Sequence, residues 1–190
     1  MTSRPLSRRI VLSAALGAVA LHLPLAASAG FNFFTSEYTA SRDELQAQVA
    51  RRFPVRQRYA ELFTVALREP RLSLDATANR AAIAALVTIS SPLLNPQSVE
   101  GSIAISSALK YDPAAFAVRL DRPKAERLQL QNMTGGDAER LQQIGAVVAQ
   151  ELLRDYALIV FKPEQLTVGR KTYQIGQITV EADDIRVELQ

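Results

Sequence analysis

Few side chains in this sequence have the types and spacing that catalysis needs. Ser106, Ser107 and Lys110 supply the groups of a Ser/Lys enzyme. Ser106 and Lys110 stand four residues apart in an alternating segment, so on a strand they would only share one face. Because nothing in the sequence predicts a lowered lysine pKa, we interpret this set as sheet surface.

Two further motifs could bind ions. Asp183 and Asp184 form an adjacent carboxylate pair, but Ca²⁺ takes six or more oxygen ligands and Asp is common in turns. The string TGGD at residues 134–137 precedes a predicted helix and could hold a phosphate on its amides, but it lacks the lysine of a phosphate-binding loop. We interpret both motifs as turns.

The sequence contains one basic cluster, formed by Arg51, Arg52, Arg56 and Arg58. We interpret it as a solvated face that Glu61 partly balances. Contact with anionic lipid headgroups is the alternative interpretation.

Residues 1–29 have the order of a cleavable export signal. Residues 1–9 hold three arginines and no acid, residues 10–21 are apolar, and Ala27, Ser28 and Ala29 form an AxA cleavage site. The string SRRIVL also resembles a twin-arginine signal. We therefore predict cleavage after Ala29 and a periplasmic mature domain at residues 30–190, which is not lipid-anchored because the sequence has no lipobox cysteine.

Removal of this signal changes what chemistry the protein can do. The chain has 22 Lys and Arg residues against 19 Asp and Glu, and the three signal arginines account for the whole difference. A neutral mature domain argues against nucleic-acid binding. The only histidine, His22, also leaves, and there is no cysteine. We expect no metal, no cofactor and no enzyme activity, although a carboxylate pair stays open as a catalytic device.

The apolar periodicity predicts an α+β fold in a single domain. Ser41 and Glu44 form a capping box before a helix over residues 42–53, which Pro54 ends. From residue 59 to 132 the period is two, which predicts five short strands in an antiparallel meander, with Arg122 and Pro123 between the last two strands. The small aliphatic residues on its inner side favour a curved sheet.

A second amphipathic helix of about 18 residues follows Gly135 and Gly136, with Asp137 as the expected cap. At 1.5 Å per residue we expect it to lie along the whole sheet. Residues 178–189 alternate on both sides of Asp183 and Asp184, which predicts a C-terminal hairpin.

Residues 38 to about 130 resemble the YceB-like envelope lipoproteins, a family of unknown physiological role. The resemblance is carried by Arg52, Phe53 and Pro54 after the first helix and by the strings LFTVALREPRLSLD, GSIAISSALKYDP and RLDRPKAERLQL. It implies a tubular lipid-binding-like fold, in which a long helix is wrapped by a curved antiparallel sheet around an apolar channel. Those relatives carry a lipobox cysteine, so their membrane tethering is not implied here.

The resemblance and the missing catalytic side chains predict a non-enzymatic binding protein for an apolar or lipid-like ligand, which could act as a carrier with transient membrane contact. The predicted cavity-lining residues are Leu45, Val49, Phe53, Ile103, Ile105, Leu141, Ile144, Val148 and Leu152. The alternative is an envelope scaffold or interaction protein with a filled core, because periodicity does not distinguish a lined interior from a filled one.

Overall fold

The computed structural model describes residues 30–32 and 34–190; the predicted export signal and its cleavage site lie outside them. Its helices are α1 (Arg42–Arg52), α2 (Gly136–Leu153) and a short 3-10 helix (Pro163–Leu166). Its strands are β1 (Gly30–Asn32), β2 (Glu37–Ser41), β3 (Val55–Tyr59), β4 (Phe63–Asp75), β5 (Arg80–Ser90), β6 (Ser98–Asp112), β7 (Ala117–Leu130), β8 (Ala157–Val160), β9 (Thr167–Val168), β10 (Lys171–Thr172), β11 (Ile175–Val180) and β12 (Asp184–Leu189).

Antiparallel sheets dominate the described part of the chain. The large sheet has the order β3-β4-β5-β6-β7-β8, so neighbours in sequence are neighbours in space. A second sheet has the order β1-β2-β12-β11, and β9 pairs with β10. The predicted antiparallel meander and the C-terminal hairpin are confirmed, and the hairpin joins β2 through Arg186 opposite Thr39.

Helix α1 begins as the sequence predicts. The Glu44 amide donates to Ser41 Oγ at 3.4 Å, and the Ser41 amide donates to Glu44 Oε2 at 3.3 Å. This reciprocal pair is the predicted capping box, which satisfies two backbone donors at the helix start. Leu45 and Val49 then lie on the buried face of the helix.

Strand β7 corrects one prediction. The sequence suggests two strands separated by Arg122 and Pro123, but the structure has one strand with a bulge at this point. Arg122 has a φ of 49°, and the register with β6 shifts beside it. Proline has no backbone N–H to donate to a neighbouring strand. Pro123 is tolerated here because the bulge interrupts the hydrogen-bond pattern between β6 and β7 at this position. Ser107 Oγ donates to the Asp121 carbonyl at 2.9 Å and satisfies that group.

Helix α2 has the predicted 18 residues, but it is short rather than long relative to the sheet. It spans about 27 Å, whereas the 15 residues of β6 extend for about 50 Å. The expectation that it lies along the whole sheet is therefore wrong. The N-cap residue of α2 is Gly135, which has no side chain to cap the helix, so the predicted cap at Asp137 is wrong as well.

The large sheet curls into a half-barrel, and both helices pack inside the curl. α1 packs against β4 and β8, while α2 packs against β7 on one side and β3 and β4 on the other. One hydrophobic core extends from the large sheet and both helices to Tyr38, Val180 and Ile185 of the second sheet. No helix among the described residues is long and apolar enough to cross a membrane.

Candidate functional site

The half-barrel has two ends that differ in how they are covered. Because the strands alternate in direction, connections at residues 60–62, 91–97 and 131–135 lie at one end, which we call the open end. Connections at residues 76–79 and 113–116 lie at the other, which we call the closed end.

The second sheet covers the closed end. The ring centroids of Tyr38 and Phe161 are 5.0 Å apart there, and those of Phe31 and Tyr38 are 4.7 Å apart. The Val180 amide donates to Asn79 Oδ1 at 2.7 Å and ties the second sheet to a closed-end turn. Burial raises the pKa of the Tyr38 hydroxyl, with a smaller effect from Glu44. The second sheet therefore covers part of the core at this end, where Leu74, Leu109 and Tyr111 keep some exposure.

The open end leaves large apolar side chains partly exposed. Those that pack against the core while keeping some exposure are Phe63, Leu94, Leu128, Leu130, Met133 and Ile144. Around them, Leu62 is 44% exposed and Leu93 is 68% exposed. A cleft of about 250 Å³ joins Leu62 to Pro92, and one of about 190 Å³ joins Met133 to Pro96. These clefts run between neighbouring open-end segments, and their lining is mostly polar and includes Arg58, Thr64 and Ser98 of the outer sheet face.

Helix α2 lies across the sheet and touches it directly. A Cβ atom on Gly145 would lie 2.6 Å from Ile89 Cδ1 and 3.1 Å from Leu128 Cδ1. Glycine at this position therefore allows an unusually close approach of helix and sheet. The interior is filled at this point, and the partly exposed residues Leu130 and Met133 follow Leu128 toward the open end.

The structure divides the nine predicted cavity-lining residues into two groups. Leu45, Val49, Ile103, Ile105, Leu141 and Val148 are at most 3% exposed and belong to the core. Phe53, Ile144 and Leu152 are partly exposed and pack on the edge of that core. Whether any of the nine contacts a ligand stays a prediction.

Four apolar loop residues of the open end could not be found from the apolar periodicity: Leu62, Leu93, Leu94 and Met133. Each lies in a turn or loop between the periodic segments, so none contributes to an apolar stripe. The sequence feature that could have indicated these residues is a large apolar side chain among turn-forming residues, as in the string SPLLNP around Leu93.

The polar motifs do not assemble a reactive site among the described residues. Ser106 Oγ donates to Glu126 Oε1 at 2.7 Å, which lowers the pKa of that carboxyl group, and Lys110 Nζ pairs with Asp155 Oδ1 at 2.7 Å. Ser106 and Lys110 thus have different partners. A cleft of about 470 Å³ beside Lys110 is lined mainly by charged groups, including Asp121 and Arg154.

The predicted turns also have ordinary roles. Asp183 Oδ1 pairs with Arg42 Nη1 at 3.4 Å, and the part of the chain that the structure describes contains no group of three or more potential metal ligands. Gly135 has a φ of +80°, a backbone conformation that favours glycine at the turn into α2.

No protein-family model matches the chain, and no curated protein matches its sequence. Among solved structures, a crystal structure described as lipopolysaccharide binding protein aligns with 83% of this chain and 41% of its own, at 8% sequence identity and a TM-score of 0.31. This chain thus spans less than half the length of that protein. At this TM-score the likeness supports no statement about fold or function.

Proposed function

We propose that this protein is a non-enzymatic binding protein for an apolar or lipid-like ligand, which it takes up at the open end. The supporting observation is the group of partly exposed apolar side chains at the open end of one continuous core. The second sheet and an aromatic cluster cover part of the closed end, whereas Leu94, Met133 and Ile144 are partly exposed with no sheet over them. Apolar side chains at the mouth of a curled sheet are typical of an apolar ligand site.

The ligand would lie between α2 and the open-end loops. A short apolar chain would cover Leu128, Leu130 and Met133, and each buried methylene would contribute about 0.8 kcal/mol against water. A longer chain would have to separate Gly145 from Ile89 to reach the core residues Ile103 and Val148. This opening motion would bring the protein closer to the tubular lipid-binding-like fold that the sequence analysis expects.

We further propose that the protein works as a carrier in the periplasm and belongs with the YceB-like envelope proteins. Leu62 and Leu93 are placed at the tips of open-end loops, where they could enter a membrane surface while ligand passes. An apolar chain gains little on moving from membrane to protein, so loading and release would both be reversible.

Native mass spectrometry tests the proposed binding. Protein purified from the cell envelope is measured intact, and its solvent extract is then examined for lipids. We expect a bound mass that is lost on extraction and recovered among the lipids. A protein with only its own mass, which also fails to take up added fatty acid or phospholipid, would contradict the proposal.

The second candidate is a scaffold or interaction protein with a filled core. The close contact of Gly145 with Ile89 and Leu128 favours it, because the interior beside that contact has no free space. In this case the open end would bind a protein side chain rather than a lipid. Crosslinking in the envelope would then give one stoichiometric protein partner, which a carrier is not expected to have.

A further inference from the structure

Strand β3 is an edge strand of the large sheet: α2 contacts it, but no further strand of the described chain pairs with it. It pairs only with β4, from Val55 opposite Leu67 to Tyr59 opposite Phe63, and four of its five residues are exposed. The outer side of an edge strand carries unpaired N–H and C=O groups that can pair with another chain. Among the described residues, no hydrogen bond from outside the sheet reaches the backbone of Val55, Arg56, Gln57 or Arg58.

Other edges of the same fold are covered by side chains. Beyond β3, the free edge of β4 is held by Gln46, which donates to the Pro70 carbonyl at 2.8 Å and accepts from the Leu72 amide at 2.7 Å. Arg52 Nη1 donates to the Ala157 carbonyl of β8 at 2.6 Å. On β11, the Val180 amide donates to Asn79 Oδ1 at 2.7 Å. Like β3, the far edge of β7 beyond Arg119 has no strand partner among the described residues, because β8 pairs only with residues 117–119; β3 differs from it in carrying two outward arginines on so short a strand.

The edge also carries positive charge on one face. Arg56 and Arg58 lie opposite Ala66 and Thr64, on the side of the sheet away from the buried Val65 and Leu67. Arg58 pairs with Glu61 at 3.6 Å, whereas Arg56 and neighbouring Arg51 form no ion pair with any described residue. The charge is concentrated here although the predicted mature domain is neutral overall.

This charge pattern selects one kind of occupant. Two copies of β3 pairing antiparallel around Gln57 would place Arg56 of one copy opposite Arg58 of the other, and like charges in that position are destabilising. A strand with acidic residues at every second position would instead place its carboxylates beside both arginines. Its alternate side chains would then lie on the face of Val55 and Tyr59, which suits apolar residues.

We infer that β3 is a docking edge for an extended acidic peptide segment of a partner protein, which adds as a seventh strand. The five residues of β3 set the paired length at about 17 Å. Backbone hydrogen bonds would provide affinity, and the two arginines would set register and sequence preference. This inference does not depend on lipid binding, because β3 pairs outward and the proposed ligand lies inside the curl.

A labelled nine-residue peptide with alternating Glu and Val tests the inference by fluorescence anisotropy. One comparison peptide carries Lys in place of Glu, and another carries N-methyl groups on its central residues, which removes backbone donors. We expect only the unmethylated Glu peptide to bind well, with slower hydrogen exchange at the β3 amides. Equal binding of the methylated peptide, or no binding of the Glu peptide, would overturn the inference.

Paired variants locate the contact. We expect the double variant Arg56→Glu/Arg58→Glu to weaken peptide binding by at least about tenfold. The control Lys162→Glu/Arg170→Glu makes the same change in net charge at other exposed positions and should leave binding within about twofold. Circular dichroism checks that both double variants fold. If Arg56→Glu/Arg58→Glu does not fold, Arg56→Gln/Arg58→Gln replaces it in the binding measurement. Equal losses in both pairs would contradict the assignment.

Two other occupants are separated in the same experiment. Vesicles containing phosphatidylglycerol test whether the arginines bind anionic lipid, and sedimentation tests whether the protein pairs with itself. Vesicle binding that requires Arg56 and Arg58 without peptide binding, or self-association lost in the same variant, would each refute a peptide-docking edge.

Discussion

Gly145 shows how one residue sets the distance between a helix and a sheet. Its missing side chain lets α2 approach β5 and β7 until Ile89 and Leu128 would touch any added carbon. A larger residue would hold α2 away and leave space in the interior. The degree to which the core is filled therefore depends on this position as well as on the apolar stripes.

Replacing Gly145 measures how tightly the interior is filled. We expect Gly145→Leu to lower the free energy of unfolding by about 1 to 3 kcal/mol, because overpacking forces its neighbours off their preferred positions. Gly136→Leu is the matched control, since an added carbon there meets no atom within 4 Å. Urea denaturation compares the two. Equal stabilities would mean that space exists beside Gly145.

The pair formed by Lys110 and Asp155 makes a pH prediction. The hydrogen bond from Lys110 lowers the pKa of the Asp155 carboxyl below its ordinary 3.8, and the same bond raises the pKa of Lys110 above 10.5. Any stability from the pair is therefore present between these ordinary values. It is lost as the pH falls through the lowered pKa of Asp155 or rises through the raised pKa of Lys110.

A carboxyl-detected NMR titration checks this shift. We expect Asp155 to titrate below pH 3.8 in the unaltered protein and closer to that value in Lys110→Gln. The control Lys162→Gln removes an equal charge elsewhere and should not move the midpoint. An unchanged Asp155 midpoint in Lys110→Gln would show that the Lys110 contact has no such effect.

The capping box gives α1 a defined start next to the second sheet. We expect Ser41→Ala to cost about 1 kcal/mol of stability, because it removes the acceptor for the Glu44 amide. Ser102→Ala changes an exposed serine on β6 and should stay within about 0.5 kcal/mol. Thermal unfolding distinguishes them. Similar effects from both substitutions would mean that the cap contributes nothing.

Helices α1 and α2 and strands β5 and β6 could be predicted because their patterns are strong. α1 has a cap and an apolar stripe, and β5 alternates without a break from Ala81 to Ile89. β3 could not be predicted in this way. The residues beside Arg56 and Arg58 do not form an apolar stripe, so this segment is recognisable as a strand only from its pairing with β4. β8 is an unbroken apolar run with no periodicity.

The candidate site was harder to predict than the fold. Ile144 and Val148 belong to the same apolar stripe of α2, yet only Val148 is fully buried. Their difference in exposure arises from where the helix crosses the sheet, and the sequence pattern does not encode that position. Loop residues such as Leu93 have no period and give only a composition signal.

The two ends of the half-barrel differ in how they are covered. In the proposed function, ligand would enter and leave at the open end, because the second sheet covers part of the closed end. Leu62 and Leu93 stand on neighbouring connections at the open end, so both could meet a membrane surface during the same encounter.

Charged substitutions test this membrane contact. We expect Leu93→Asp to reduce vesicle binding by about tenfold, because inserting one leucine contributes on the order of 1.5 kcal/mol or more. Val160→Asp is the control, since Val160 is also about half exposed but lies on β8 away from the open end. Vesicle sedimentation measures both. A loss of binding in Val160→Asp but not in Leu93→Asp would point to a different membrane-facing surface.

Fluorescence quenching tests the central claim of open-end binding most directly. The sequence contains no tryptophan, so Met133→Trp places a single reporter at the open end and Phe116→Trp places one at the closed end. Brominated fatty acid, which quenches tryptophan on contact, is titrated into each variant. We predict saturable quenching of Met133→Trp and none of Phe116→Trp. Equal quenching at both ends, or none at Met133→Trp, would contradict binding at the open end.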